Sequence, residues 1–136
     1  MKKPKLINLK KKIKIICFDI DNTICRTKNN FYNSSKPNIK AINVVNNLYK
    51  KGYYIKLFTS RFMGRNNDNA KRAKKDGLKF TKLQLKKWNV NYNKLIMGKP
   101  SYDLLIDDKC IFFKKNWYKF INKKLWRKLI INQKFL

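Results

Sequence analysis

Histidine is absent from this chain of 136 residues, and so is glutamate; aspartate supplies all 7 acids, against 35 lysines and arginines. Without histidine, Cys17, Cys25 and Cys110 have no partner for a zinc site, and no two of them form a CxxC pair. They read as reduced, mostly buried thiols of a cytosolic protein. No apolar run is long enough to span a bilayer, so no transmembrane helix is expected. The start, "MKKPKLINLKKKIKIICF", is basic and then apolar in the manner of a signal peptide. Its apolar stretch is short, however, runs into Asp19 and lacks a small-residue cleavage site. Residues 1–12 therefore read as a basic tail leading into a first strand, and the expected location is cytoplasmic.

What is present is a foldable chain with an excess of one charge. A hydrophobic fraction of 43%, with 14% aromatics, supports one ordinary core in a single domain. The formal net charge of +28 has two readings. One is a polyanion partner such as nucleic acid; the other is a lysine-, asparagine- and isoleucine-rich composition. Where acids are this scarce, those that cluster draw the eye.

Residues 13–18 (IKIICF) form a nearly continuous apolar run with β-branched members, suited to a central parallel strand. The polar stretch "RTKNNFYNSSKP" reads as a loop. A helix is expected from about Pro37 to Lys51, ended by Gly52, with Ile39, Ile42, Val45 and Tyr49 at helical spacing. "YYIKLF", Tyr53 to Phe58, reads as a second strand. "FMGRNNDNAKRAKKDG" reads as a loop with a short helix, and Leu78 to Trp88 as a helix with one apolar face. "KLIM" at Lys94–Met97 and "DLLI" at Asp103–Ile106 are two more strands. In residues 116–136, Ile121, Leu125 and Leu129 mark a basic amphipathic helix laid on the core or a partner. Strands alternating with helices predict an α/β domain with a mainly parallel sheet.

In such sheets ligands sit beyond the carboxyl ends of the strands. The chemically loaded residues all stand there: Asp19 and Asp21, then Thr59, Ser60 and Arg61, then Lys99, then Asp107 and Asp108. A carboxylate can attack phosphorus as a nucleophile, and a second acid can protonate the leaving oxygen and later activate water. Two close acids repel unless cations offset them, and Mg²⁺ accepts a few carboxylates plus substrate phosphate. Asp107 and Asp108 follow an apolar run as the first pair does. If the two strands are neighbours, all four carboxylates meet around one metal. Thr59 and Lys99 then supply a hydroxyl donor and a cation for the phosphoryl oxygens.

"FDIDNT", "LFTSR", "GKP" and "IDDK", in that order, resemble the four motifs of the haloacid dehalogenase superfamily of phosphatases. "DIDNTIC", "TSR", "MGKP" and "LLIDDK" are similar, more closely, to its small capsule-biosynthesis phosphatases, over roughly residues 13–115. The resemblance implies Asp19 as nucleophile and Asp21 as general acid/base. It implies Thr59, with Ser60 beside it, and Lys99 as phosphate-binding residues, and Arg61 as a substrate contact. Mg²⁺ would be held by Asp19, Asp107 and the backbone carbonyl of Asp21, with Asp108 as an alternative ligand. The lysine- and asparagine-rich segment between "TSR" and "GKP", and the basic tail, depart from the pattern and bear on the substrate.

The expectation is a single Rossmann-like three-layer domain without a large cap: residues 1–115 the catalytic core, residues 116–136 the C-terminal helix. Its expected activity is Mg²⁺-dependent phosphomonoester hydrolysis through an aspartyl phosphate, on a sugar phosphate of surface-polysaccharide synthesis. With no cap, an open pocket implies a homo-oligomer or a large substrate. The rivals are a phosphatase of nucleic-acid ends and a basic binding module without turnover.

Overall fold

In the computed structural model of the protein, the residues described are 15–111, 114–119 and 121. Three strands make one parallel sheet: β1 (Ile15–Phe18), β4 (Tyr54–Thr59) in the middle and β5 (Lys94–Met97). The register sets Ile16 beside Ile55 and Phe18 beside Leu57, and Leu57 beside Leu95 and Thr59 beside Met97. These side chains share one face, because strand residues alternate sides. Two short strands, β2 (Cys25–Arg26) and β3 (Lys36–Pro37), pair antiparallel in the connection that follows β1.

The crossovers are helices α1 (Ile39–Lys50) and α2 (Ala70–Lys87). α1 starts two residues later than expected: Pro37 is taken into β3, and the Asn38 side chain caps the helix by accepting the Ala41 N–H at 3.1 Å. α2 starts eight residues earlier than expected, with Asn69 as cap, accepting the Arg72 N–H at 3.0 Å. Its inward stripe is Ala73, Gly77, Thr81 and Leu85, spaced by four. Three of those four are small or polar, so the period is faint in a hydropathy reading. Ile42, Val45 and Leu48 of α1 and Leu85 of α2 join Phe18, Ile55 and Leu57 in one buried cluster. Each such side chain contributes on the order of 1.5–3 kcal/mol when fully buried.

The opposite face of the sheet carries Ile15, 57% exposed, Tyr54, 41% exposed, and the exposed Cys17. Cys110 is exposed too. The expectation of mostly buried thiols thus holds for Cys25 alone, since the outward face of β1 has no covering layer among the described residues. Cys25 is deeply placed, and burial pushes its thiol up to about 11.

The fourth strand expected at Asp103–Ile106 does not form. Leu104 is 78% exposed and Ile106 89%, and a parallel strand needs both a partner and cover to be stable. Among the described residues β1 is therefore an edge of the sheet. At the start of the C-terminal tail, a single 3₁₀ turn, Trp117–Lys119, docks on the core. Trp117 is buried, stacks at 5.3 Å from Phe18 and donates its indole N–H to the Thr23 carbonyl at 2.9 Å. Residues 122–136, and with them Leu125 and Leu129 of the expected helix, lie outside the described residues. The observed architecture is an α/β fold with a parallel sheet and no large cap among the described residues.

Candidate active site

The carboxyl ends of β1, β4 and β5 converge on a cluster of opposite charges. Asp19 leaves β1 as the chain turns. Its carboxylate, one-third exposed, faces the Lys99 ammonium at 3.6 Å. Burial lifts the Asp19 carboxyl above the usual carboxylate range, with Lys99 and the Ile20 N–H pulling the other way. For Lys99, burial lowers its pKa, but the Tyr102 side chain and Asp19 more than offset that and hold the ammonium above its ordinary value. The Tyr102 ring lies 5.3 Å from the same nitrogen. Lys99 is aimed here by its backbone: its N–H bonds to the Thr59 carbonyl at 3.1 Å, tying the end of β5 to that of β4. Gly98 before it has φ +94°, and a methyl group there would press on Ala70, so glycine is required on two counts.

Asp21 meets a different cation. Arg61 Nε donates to Oδ2 at 2.9 Å and its NH2 donates to Oδ1 at 2.8 Å, a two-pronged pair that fixes the carboxylate plane. The Thr27 hydroxyl donates to Oδ1 as well, at 2.5 Å. Arg61 was expected to reach substrate; instead it is only 1% exposed. Its remaining prong donates to Gln84 Oε1 at 2.6 Å, and its face lies 4.8 Å from the Tyr32 ring centre. A buried guanidinium is tolerated because every side of it is occupied.

Thr59 is wholly buried at the end of β4, its hydroxyl accepting the Arg61 N–H at 3.1 Å while its carbonyl accepts from Lys99. Ser60 is half-buried, and its carbonyl accepts the Met63 N–H at 3.0 Å. Thr59 thus links the two cations of the site.

The second acid pair is held differently. Asp107 and Asp108 are both exposed, on backbone without strand pairing. The Lys109 N–H, 2.9 Å from Asp107 Oδ1, draws that carboxyl below its ordinary range. The donors have the right chemistry for Mg²⁺, hard carboxylate oxygens. In the present arrangement they are not gathered around one point. Asp19 faces Lys99, Asp21 is clamped by Arg61, and among the described residues no group of three or more histidine, cysteine, aspartate or glutamate side chains could hold a metal ion.

Four contributors were not foreseen: Thr27, Tyr32, Gln84 and Tyr102. Gln84 left a faint signal, an amide flanked by two leucines on the predicted helix. Thr27 and Tyr32 lie in the asparagine-rich loop, where nothing in the pattern separates them from their neighbours.

Among solved structures, the chain is similar to a crystallised target protein from Vibrio cholerae, with a TM-score of 0.79 and 22% identity. The likeness covers 88% of this chain and 98% of that one. At that identity it shows the fold alone. No family model matches the chain, and no curated protein does.

Proposed function

We propose that this protein is a phosphomonoesterase of the haloacid dehalogenase type, with Asp19 as nucleophile. One observation carries the reading: a reachable carboxylate at a strand's carboxyl end faces a lysine, while the acid two residues on is clamped in place by a buried arginine. In the first step an Asp19 oxygen bonds to phosphorus and the ester P–O bond breaks, with Asp21 passing a proton to the leaving oxygen. For this Asp21 must enter the step protonated and give up one of the hydrogen bonds it accepts from Arg61 or Thr27. In the second, water adds to phosphorus, the P–O bond to Asp19 breaks, and Asp21 takes the proton from water. Lys99 offsets the charge on the phosphoryl oxygens. The Thr59–Arg61 linkage sets the position of both cations.

Mg²⁺ and the finer Rossmann-like, three-layer architecture belong to the same proposal, and each adds a requirement. The metal requires Asp107 or Asp108 to reach Asp19. The edge of β1, open among the described residues, and the exposed Leu104, Leu105 and Ile106 support a closing movement of that segment onto the sheet. The third layer requires cover over Ile15 and Cys17. A sugar phosphate as substrate rests on the sequence resemblance.

A second reading, action on the phosphorylated end of a nucleic acid, is favoured by α2. Its outer face exposes Lys71, Arg72, Lys74, Lys75, Lys79, Lys82, Lys86 and Lys87, a stripe suited to a polyanion backbone. A panel of phosphorylated sugars, nucleotides and 5′- or 3′-phosphorylated oligonucleotides, assayed for phosphate release with Mg²⁺ and with chelator, tests both. Release from the small molecules, abolished by chelator, is expected. Release from oligonucleotides alone selects the second reading, and no release from any of them defeats both.

A further inference from the structure

A cavity of about 440 Å³ lies one side chain, Arg61, away from Asp21; its walls include Phe31, Tyr32, Phe62, Arg65, Asp76 and Phe80. Its size falls within the range of small-molecule sites, roughly 300–1,000 Å³, and half of its lining is aromatic, the other half polar or charged, with Asn30 and Asn33 beside Arg65 and Asp76. Three elements build it. Phe31 and Tyr32 come from the loop after β2, Phe62 and Arg65 from the turn after β4, and Asp76 and Phe80 from α2.

The backbone is held under strain to make this cavity. Phe62 sits at φ +66°, a left-handed conformation that a bulky side chain rarely adopts. Several contacts maintain it. The Asn66 amide donates to the Phe62 carbonyl at 2.8 Å, and the ring packs against Tyr32 at 5.2 Å and Phe80 at 6.3 Å. Gly77 of α2 leaves room for that ring, which any β-carbon at position 77 would strike. This conformation sets the Phe62 ring in the cavity wall, with the Arg65 guanidinium over Phe62 at 4.5 Å and over Tyr32 at 5.5 Å.

The cavity is joined to the acid site through one side chain. The guanidinium that grips Asp21 by its edge lies face-on to Tyr32, and Gln84 closes the loop by donating to the Tyr32 carbonyl at 2.7 Å. We infer that the cavity takes the non-phosphate half of the substrate, and that this half is a ring with a flat apolar face and a hydrogen-bonding edge. The inference rests on the phosphomonoesterase reading. Flat faces suit the aromatic walls, and Arg65 and Asp76 at the wall serve a polar edge. A pyranose and a nucleobase both have this chemistry; an acyclic phosphate ester leaves the walls untouched.

The test measures binding with Asp19→Asn protein, which holds substrate without turnover, using a hexose 6-phosphate, a nucleoside 5′-monophosphate and glycerol 3-phosphate as probes. One ring-bearing probe should bind at least about tenfold tighter than glycerol 3-phosphate, and which one does so distinguishes pyranose from nucleobase. In the same background, Phe80→Leu and, separately, the surface change Arg65→Ala should each shrink that preference, with circular dichroism confirming the fold. Equal affinity for all three probes, no binding of any, or a preference that survives both substitutions overturns the inference. Phosphate release by the wild-type protein is measured alongside. A ring preference without release defeats the phosphatase reading and leaves the cavity standing; release without a ring preference does the reverse.

Discussion

Two stretches of this chain are written almost alike, an apolar run followed by a pair of acids, and they end in opposite surroundings. "IICFDID" enters a sheet: Phe18 is 6% exposed, and Asp19 and Asp21 each meet a cation from just beyond the end of another strand, Lys99 after β5 and Arg61 after β4. "DLLIDD" stays outside it, with Ile106 89% exposed and its acids in solvent. The difference lies in what stands next to each run. β1 has β4 as a partner and a helix-covered face, and β4 and β5 bring Arg61 and Lys99 to the same end. The second run has neither partner nor cover among the described residues. An acidic motif becomes a site only when the frame carries counter-charges to it, because unpaired carboxylates in a partly buried place are costly.

The comparison breaks hardest at Asp19. Asp19→Asn should lower phosphatase turnover on the order of a thousandfold or more, with the fold retained; substantial turnover by the folded variant would remove Asp19 as nucleophile. Asp107→Asn should lose activity as well if the second pair closes on the first, and its indifference would confine the site to the first pair.

Removing the buried cation tests the frame. Arg61→Met leaves Asp21 without its clamp and should cost about 2–3 kcal/mol in denaturant unfolding, at the lower side of a broken buried pair because Asp21 is partly exposed and can rehydrate. An unchanged midpoint would mean that the pair contributes nothing net.

The pH dependence sharpens the same contrast from the acid's side. Burial, opposed by Lys99, raises the Asp19 carboxyl above its ordinary value. Such a group is still protonated in the folded chain at pH values where the unfolded chain has ionised it. It therefore costs no stability below the ordinary aspartate pKa; the cost grows as pH rises toward the folded-state value and is constant above it. Asp19→Asn should accordingly melt higher than wild type at neutral pH, the gap closing near pH ~4. A lower melting temperature at pH 7 contradicts this. The second pair supplies the control, since Asp107 is shifted downward.

The smallest effect is expected at Ile106. Because the side chain is already in water, Ile106→Asp should change stability by less than about 0.5 kcal/mol. If phosphatase activity nevertheless falls sharply, the segment docks on the open edge of β1 during turnover. Unchanged activity would separate the two stretches in function.

Much was legible in the residues themselves. The strands Ile15–Phe18 and Tyr54–Thr59 are rich in β-branched and aromatic side chains, Lys94–Met97 is a short run of apolar residues after one lysine, and the helix around Ile42 and Val45 has a clear period. The placement of Asp19, Thr59, Arg61 and Lys99 at strand ends follows from those boundaries. Local pattern also carries the caps, since Asn38 and Asn69 act on N–H groups only three residues away. What only the tertiary structure decided is pairing over long separations: that Arg61 turns inward to Asp21 forty residues before it, that Gln84 props both Arg61 and Tyr32, that Phe62 is bent into a left-handed turn over Gly77, and that the run at Asp103–Ile106 finds no strand beside it among the described residues. Short-range preference is set by each residue's own stereochemistry and its near neighbours. The partner of a charge or the cover of a strand depends on which distant surfaces the packing brings together, and no spacing along the chain encodes that distance.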